Sequence, residues 1–141
     1  MAAPSPSVQR SFRLTRRTAD LLDACAESSS ESRNSIVERI LAEALRTERH
    51  PLIRFRRGAT GRREPILVGT RLLVRQVIGT LHGSQDTADA ADTLGIPRYL
   101  VEAAATYYAE FGVEVDLDIA WAEEFAEREF ALWMQQQSAL H

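Results

Sequence analysis

The spacing of hydrophobic and polar positions changes several times along the chain, and each change marks an element. From Gln9 to Leu14 the positions alternate, with Phe12 and Leu14 on one side of an extended segment and Gln9, Ser11 and Arg13 on the other. A lone strand leaves its backbone groups unpaired. This spacing therefore predicts an antiparallel ribbon formed with the same strand of a second copy, Phe12 and Leu14 beneath and Ser11 and Arg13 outside. Thr15 can cap a helix that carries Ala19, Leu21, Leu22, Cys25 and Ala26 on one face, and Arg16 and Arg17 ride in its first turn. Cations there oppose the helix dipole, an objection that a nearby phosphate removes. A serine-rich turn, Glu27 to Glu31, leads to Ser32 as a second cap. Arg33 and Asn34 then open a helix bearing Ile36, Val37, Ile40, Leu41, Ala44 and Leu45. Two such short helices have little core of their own, which points to an intertwined homodimer.

Pro51 ends that helix, and Leu52 to Arg57 alternates as an edge strand does. Gly58 to Gly61 is a turn, and Glu64 to Val68 returns as a second strand. Arg54, Arg56, Arg57, Arg62 and Arg63 crowd this hairpin; they can add phosphate contacts or keep an edge strand soluble. Three short helices follow. The first has Val74, Val77, Ile78 and Leu81 on one face and ends at Gly83; the second, within Ser84 to Gly95, has Ala88, Ala91 and Leu94 inside; the third repeats Leu100, Val101, Ala104, Ala105 and Tyr108. Ala90 to Pro97 has the small residue, leucine and glycine turn of a helix-turn-helix. An acidic stretch, Val113 to Asp118, precedes a last helix expected from about Asp118 to Gln137, with Ala122, Phe125, Ala126, Glu129, Phe130 and Trp133 on one face and Trp121 and Leu132 beside it.

Charge sharpens this division. Through Arg63 the chain has 13 arginines against 7 carboxylates, whereas from Glu64 onward 4 arginines face 13. Every basic side chain other than histidine is arginine, whose planar fork suits phosphates and guanine edges. A basic first part and an acidic remainder fit a nucleic-acid-binding module followed by a protein-facing one, or simply two solvated surfaces of opposite sign. The single cysteine, Cys25, excludes an internal disulfide and reads as a small buried hydrophobe. No apolar run approaches the roughly 20 residues of a membrane span, and the first seven residues have no apolar signal core, so a cytoplasmic address is expected.

Residues Gln9 to Leu45 resemble the ribbon-helix-helix family of Arc-like and CopG-like repressors. The resemblance implies that Gln9, Ser11 and Arg13 contact bases in the major groove, and that Ser32, Arg33 and Asn34, with Arg16 and Arg17, hold backbone phosphates. The family often has glycine in the turn, where Ser30 stands here; a left-handed serine would cost on the order of 1 kcal/mol. From Pro51 to Phe111, the signature Gly69-Thr70-Arg71, with Pro65 before it, resembles a small domain of VapB-type antitoxins. Glu64 replaces the glycine usually found before that proline. Antitoxins of this class commonly hold their toxin through C-terminal elements, which carries over to Trp121, Phe125, Phe130 and Trp133.

Enzyme readings lack their parts: His50, His82 and His141 lie far apart, the sequence has no metal-ligand spacing or phosphate-binding glycine loop, and it shows no second group that would shift the pKa values of the tail carboxylates. No cofactor or metal is expected. The chain thus reads as an α+β, mainly helical protein. Its expected parts are a flexible arm (1–8), a ribbon-helix-helix DNA-binding and dimerisation domain (9–50), a β-hairpin and helix-turn-helix-like antitoxin-associated domain (51–112) and an acidic, aromatic C-terminal helix (113–141). The expected function is a non-enzymatic, homodimeric antitoxin and autorepressor that binds double-stranded operator DNA and a toxin, with a PIN-type ribonuclease as the family-based partner. A stand-alone repressor or a dimeric protein-interaction adaptor is the alternative. In the third short helix Arg98 is offset by Glu102 and Glu110, which favours packing or protein contact over DNA reading.

Overall fold

Helix α1, Arg16–Glu27, starts where Thr15 leaves the extended conformation and its hydroxyl accepts the Thr18 amide at 3.2 Å. In this computed structural model, which describes residues 6–58 and 61–141, the segment before it is irregular and exposed. Residues 1–5 of the expected arm and Ala59 and Thr60 of the expected turn lie outside the described residues. Among the described residues the chain is α+β and mainly helical, with five helices and one antiparallel two-stranded hairpin. It divides into two units, Met1–Arg46 and Thr47–His141.

The first unit holds α1 and most of α2, Arg33–Arg49. The turn between them has no left-handed residue: Ser30, like every other non-glycine residue described, has negative φ, and the Ser29 hydroxyl accepts the Glu31 amide at 3.0 Å. The penalty expected at Ser30 is therefore avoided. Ser32 opens α2 by accepting the Ser35 amide on its hydroxyl at 3.1 Å. Among the described residues of this unit, Ile36 is the one hydrophobic side chain that is fully buried.

In the second unit, β1, Ile53–Arg57, pairs with β2, Arg63–Leu67, so that Ile53 faces Leu67 and Phe55 faces Pro65. The strands differ from the sequence expectation by one residue: β1 starts after Leu52, and β2 is shifted by one, beginning at Arg63 and stopping before Val68. Helices α3, Val74–His82, and α4, Thr87–Leu94, then pack with α5, Arg98–Leu140. Their apolar faces meet the hairpin in a core of Ile53, Leu67, Val74, Val77, Ile78, Ala90, Ala91, Leu100, Val101, Ala104, Tyr107 and Val115. On α4 the inward position is Ala90 rather than Ala88. Asp86 caps α4 by accepting the Asp89 amide at 2.8 Å, and Gly95 closes it at φ +68°, a left-handed conformation in which a side chain would be strained.

The largest departure from the sequence expectation is α5. No separate last helix begins at Asp118; the third short helix continues, and its single irregularity is Phe111, at φ −120° and ψ 31°. Gly112 does not break the helix because its neighbour Tyr108 packs beside it and Val115 on the next turn is drawn into the core. The acidic residues from Glu114 to Asp118 are thus helical. Beyond Asp118 no residue of α5 is fully buried. No helix among the described residues is long and apolar enough to cross a membrane.

Candidate functional site

The first unit carries its apolar residues on the outside. Phe12 is 74% exposed and Leu14 52%, and Leu21, Val37, Ile40, Leu41 and Leu45 are also exposed. Phe12, Leu14, Leu22, Cys25, Ile40 and Ala44 are among the residues lining an open groove of about 600 Å³. Cys25 is therefore half-buried on the groove wall. Burying a large apolar side chain completely is worth roughly 1.5–3 kcal/mol, so a unit whose core is Ile36 leaves most of its stabilising surface uncovered.

Gln9, Ser11 and Arg13 lie exposed in the irregular segment that leads to Thr15, and Arg16 and Arg17 are exposed in the first turn of α1. Ser32, Arg33 and Asn34 come together at the start of α2, where backbone amides point outward. Arg33 is already engaged: its Nη2 donates to Asp23 Oδ1 at 2.8 Å, with Nε at 3.3 Å from the same oxygen. Both partners are more than half exposed, so this pair is weak and open to exchange.

In the second unit, Trp121, Phe125, Phe130 and Trp133 are all exposed on α5, and the Phe130 and Trp133 rings stack with centroids 5.9 Å apart. Trp121 has a neighbour that the sequence did not reveal: the Arg62 guanidinium sits 5.1 Å over its ring. Arg62 also pairs with Asp118 at 3.1 Å. Next to them Arg75 Nε donates to the buried Glu64 at 2.9 Å. Glu64 is thus a strand residue with its own cation, and Gly58 leaves the room its carboxylate occupies. Burial pushes the Asp118 carboxyl up to about 6; Arg62 and Arg75 pull it down, and Glu64 and Glu114 push it further up. The expectation that no group shifts the tail carboxylates is corrected here. The signal was present in the sequence, since Asp118 falls on the inward stripe between Val115 and Ala122, and Glu64 stands next to Pro-Ile-Leu in a strand.

At the helix-turn-helix-like turn, Arg98 donates to Thr87 Oγ1 at 3.0 Å and pairs with Glu102 at 3.0 Å. Its charge is spent within its own unit. His82, at the end of α3, sets its ring edge-to-face against Tyr108, and the Tyr108 hydroxyl donates to Asp116 at 2.8 Å. That hydrogen bond raises the tyrosine pKa.

No protein-family model matches the chain, and no curated protein or solved structure matches it either.

Proposed function

We propose that the protein is a homodimeric, sequence-specific DNA-binding repressor of the antitoxin type, whose first unit forms a ribbon-helix-helix with a second copy. The observation that carries this reading is the uncovered apolar groove of the first unit, bordered by the segment that bears the exposed Phe12 and Leu14. A second copy is the occupant that satisfies both at once. Its own Phe12 and Leu14 cover the groove, and its own copy of the segment supplies the missing backbone partners for residues 9–14. Pairing directs Gln9, Ser11 and Arg13 to the opposite face, toward base edges in the major groove, and two copies of Ser32, Arg33 and Asn34 flank them as phosphate clamps. The exposed aromatic stripe from Trp121 to Trp133 supports a protein partner for the tail, with a toxin nuclease as the class suggested by the antitoxin resemblance.

The dimer is tested through its core. Leu41→Asp places a carboxylate in the groove and is expected to give a monomer by light scattering, with the Cys25 thiol reacting at least tenfold faster than in the wild-type dimer. A Leu41→Asp protein that keeps the wild-type mass and the wild-type Cys25 rate would refute this assembly.

A further inference from the structure

The hairpin and the turn after it, residues 51–73, contain six arginines and one carboxylate in a chain whose net charge is −3. The carboxylate, Glu64, is buried and taken by Arg75. Other arginines of this unit pair with carboxylates: Arg49 with Glu110 and, within the hairpin itself, Arg62 with Asp118. Arg54, Arg56 and Arg57 do not. Arg54 Nη1 donates to the carbonyls of Pro51 and Ile53 at 2.7 and 3.0 Å. Arg56 Nη2 donates to the carbonyl of Arg71 at 3.3 Å, and Arg57 Nη1 to that of Gly61 at 3.0 Å. A carbonyl holds a guanidinium in place without cancelling its charge, and each guanidinium keeps further N–H groups for another acceptor. The three are exposed, and Arg71 is exposed beside them.

Arg54 and Arg56 also share one strand face. Residues two apart on a strand are separated by roughly 6.8 Å, close to the spacing of successive phosphates along a nucleic-acid strand. Solubility alone would need charge but no positioning. Here the side chains are positioned in advance, which lowers the ordering cost of binding a row of anions.

We propose that this hairpin is a second DNA-contacting surface, on which Arg54, Arg56 and Arg57 bind the phosphates of duplex DNA without reading sequence. The inference rests on the DNA-binding reading of the first unit and adds a backbone clamp from the second.

The test uses the full chain and the duplex upstream of its own gene, with binding followed by fluorescence anisotropy between 50 and 200 mM salt. Each phosphate contact contributes a slope of about −0.9 in log K against log salt. The triple change Arg54→Gln, Arg56→Gln and Arg57→Gln is expected to flatten the slope by up to about 3 per protomer while keeping preference for the upstream duplex. The corresponding triple change to lysine is expected to keep the slope. Arginine modification of the wild-type protein by phenylglyoxal, read by mass spectrometry, gives an answer even where the glutamine variant fails to fold: bound DNA is expected to protect these three residues. An unchanged slope with unprotected arginines overturns the hairpin surface and leaves the first-unit reading intact. Wild-type protein that binds no DNA overturns both. Tighter binding to polyglutamate than to DNA assigns the patch to an acidic protein and also overturns the inference.

Discussion

Arg62 Nη2 lies 3.1 Å from Asp118 Oδ1, and its guanidinium covers the Trp121 ring, so one hairpin residue grips two positions a turn apart on α5. The grip carries a pH signature. Asp118 titrates near 6 in the folded chain against an ordinary 3.8, with burial as the main cause. The folded state therefore binds this proton more tightly than the unfolded state does. The resulting stabilisation is complete below about pH 4 and is lost as pH rises through about 6. Arg62 is partly open to water, and solvent screening holds the effect to on the order of 1–2 kcal/mol. Thermal unfolding followed by tryptophan fluorescence is expected to show Asp118→Asn more stable than wild type at pH 7.5 and nearly equal to it at pH 4.5. Parallel pH profiles for the two proteins would contradict this.

Glu64 and Arg75 make a second, more deeply buried pair. Removing only the cation strands a carboxylate beside Asp118, so Arg75→Met is expected to cost about 3–5 kcal/mol in urea unfolding. Changing Glu64→Met as well removes the stranded charge, and most of that loss is expected to return. A double variant as unstable as Arg75→Met alone would show that packing, not charge, sets the cost.

How far the fold was legible follows from which interactions are local. The hairpin, α3, α4 and both first-unit helices could be placed because caps such as Thr15 and Ser32, turn residues and the apolar periods lie within a few residues of each other. The continuity of α5 was not legible. Gly112 and the acidic run after it suggest a break, but the contacts met just beyond them are long-range: Val115 enters the core, and Asp118 lies against Arg62, a residue 56 positions away. The same distance hid the ionic cluster. The residues expected to contact DNA were found as an exposed set, but the sequence did not show that Asp23 would claim Arg33 across the turn.

That Asp23–Arg33 pair gives a gain-of-affinity prediction. If the start of α2 holds a DNA phosphate as proposed, the Asp23 carboxylate competes with it for the guanidinium and also repels it. Asp23→Asn is expected to tighten DNA binding about 2- to 5-fold at 100 mM salt, the range of an exposed ion pair. Arg33→Ala is expected to weaken binding to all sequences alike. Weaker binding by Asp23→Asn would mean that Arg33 is needed in its present position.

In the proposed ribbon, Arg13 is the residue that reads base sequence. Its most direct test is a competition measurement by fluorescence anisotropy, in which wild-type and Arg13→Ala proteins bind the duplex upstream of the gene in the presence of a scrambled duplex of equal length. Wild-type protein is expected to prefer the upstream duplex by about 1,000-fold or more. Arg13→Ala is expected to lose about 10- to 100-fold of that preference, the value of one arginine–guanine contact, with little change in affinity for the scrambled duplex. Wild-type protein without preference, or Arg13→Ala with the preference intact, would contradict the assignment of the ribbon.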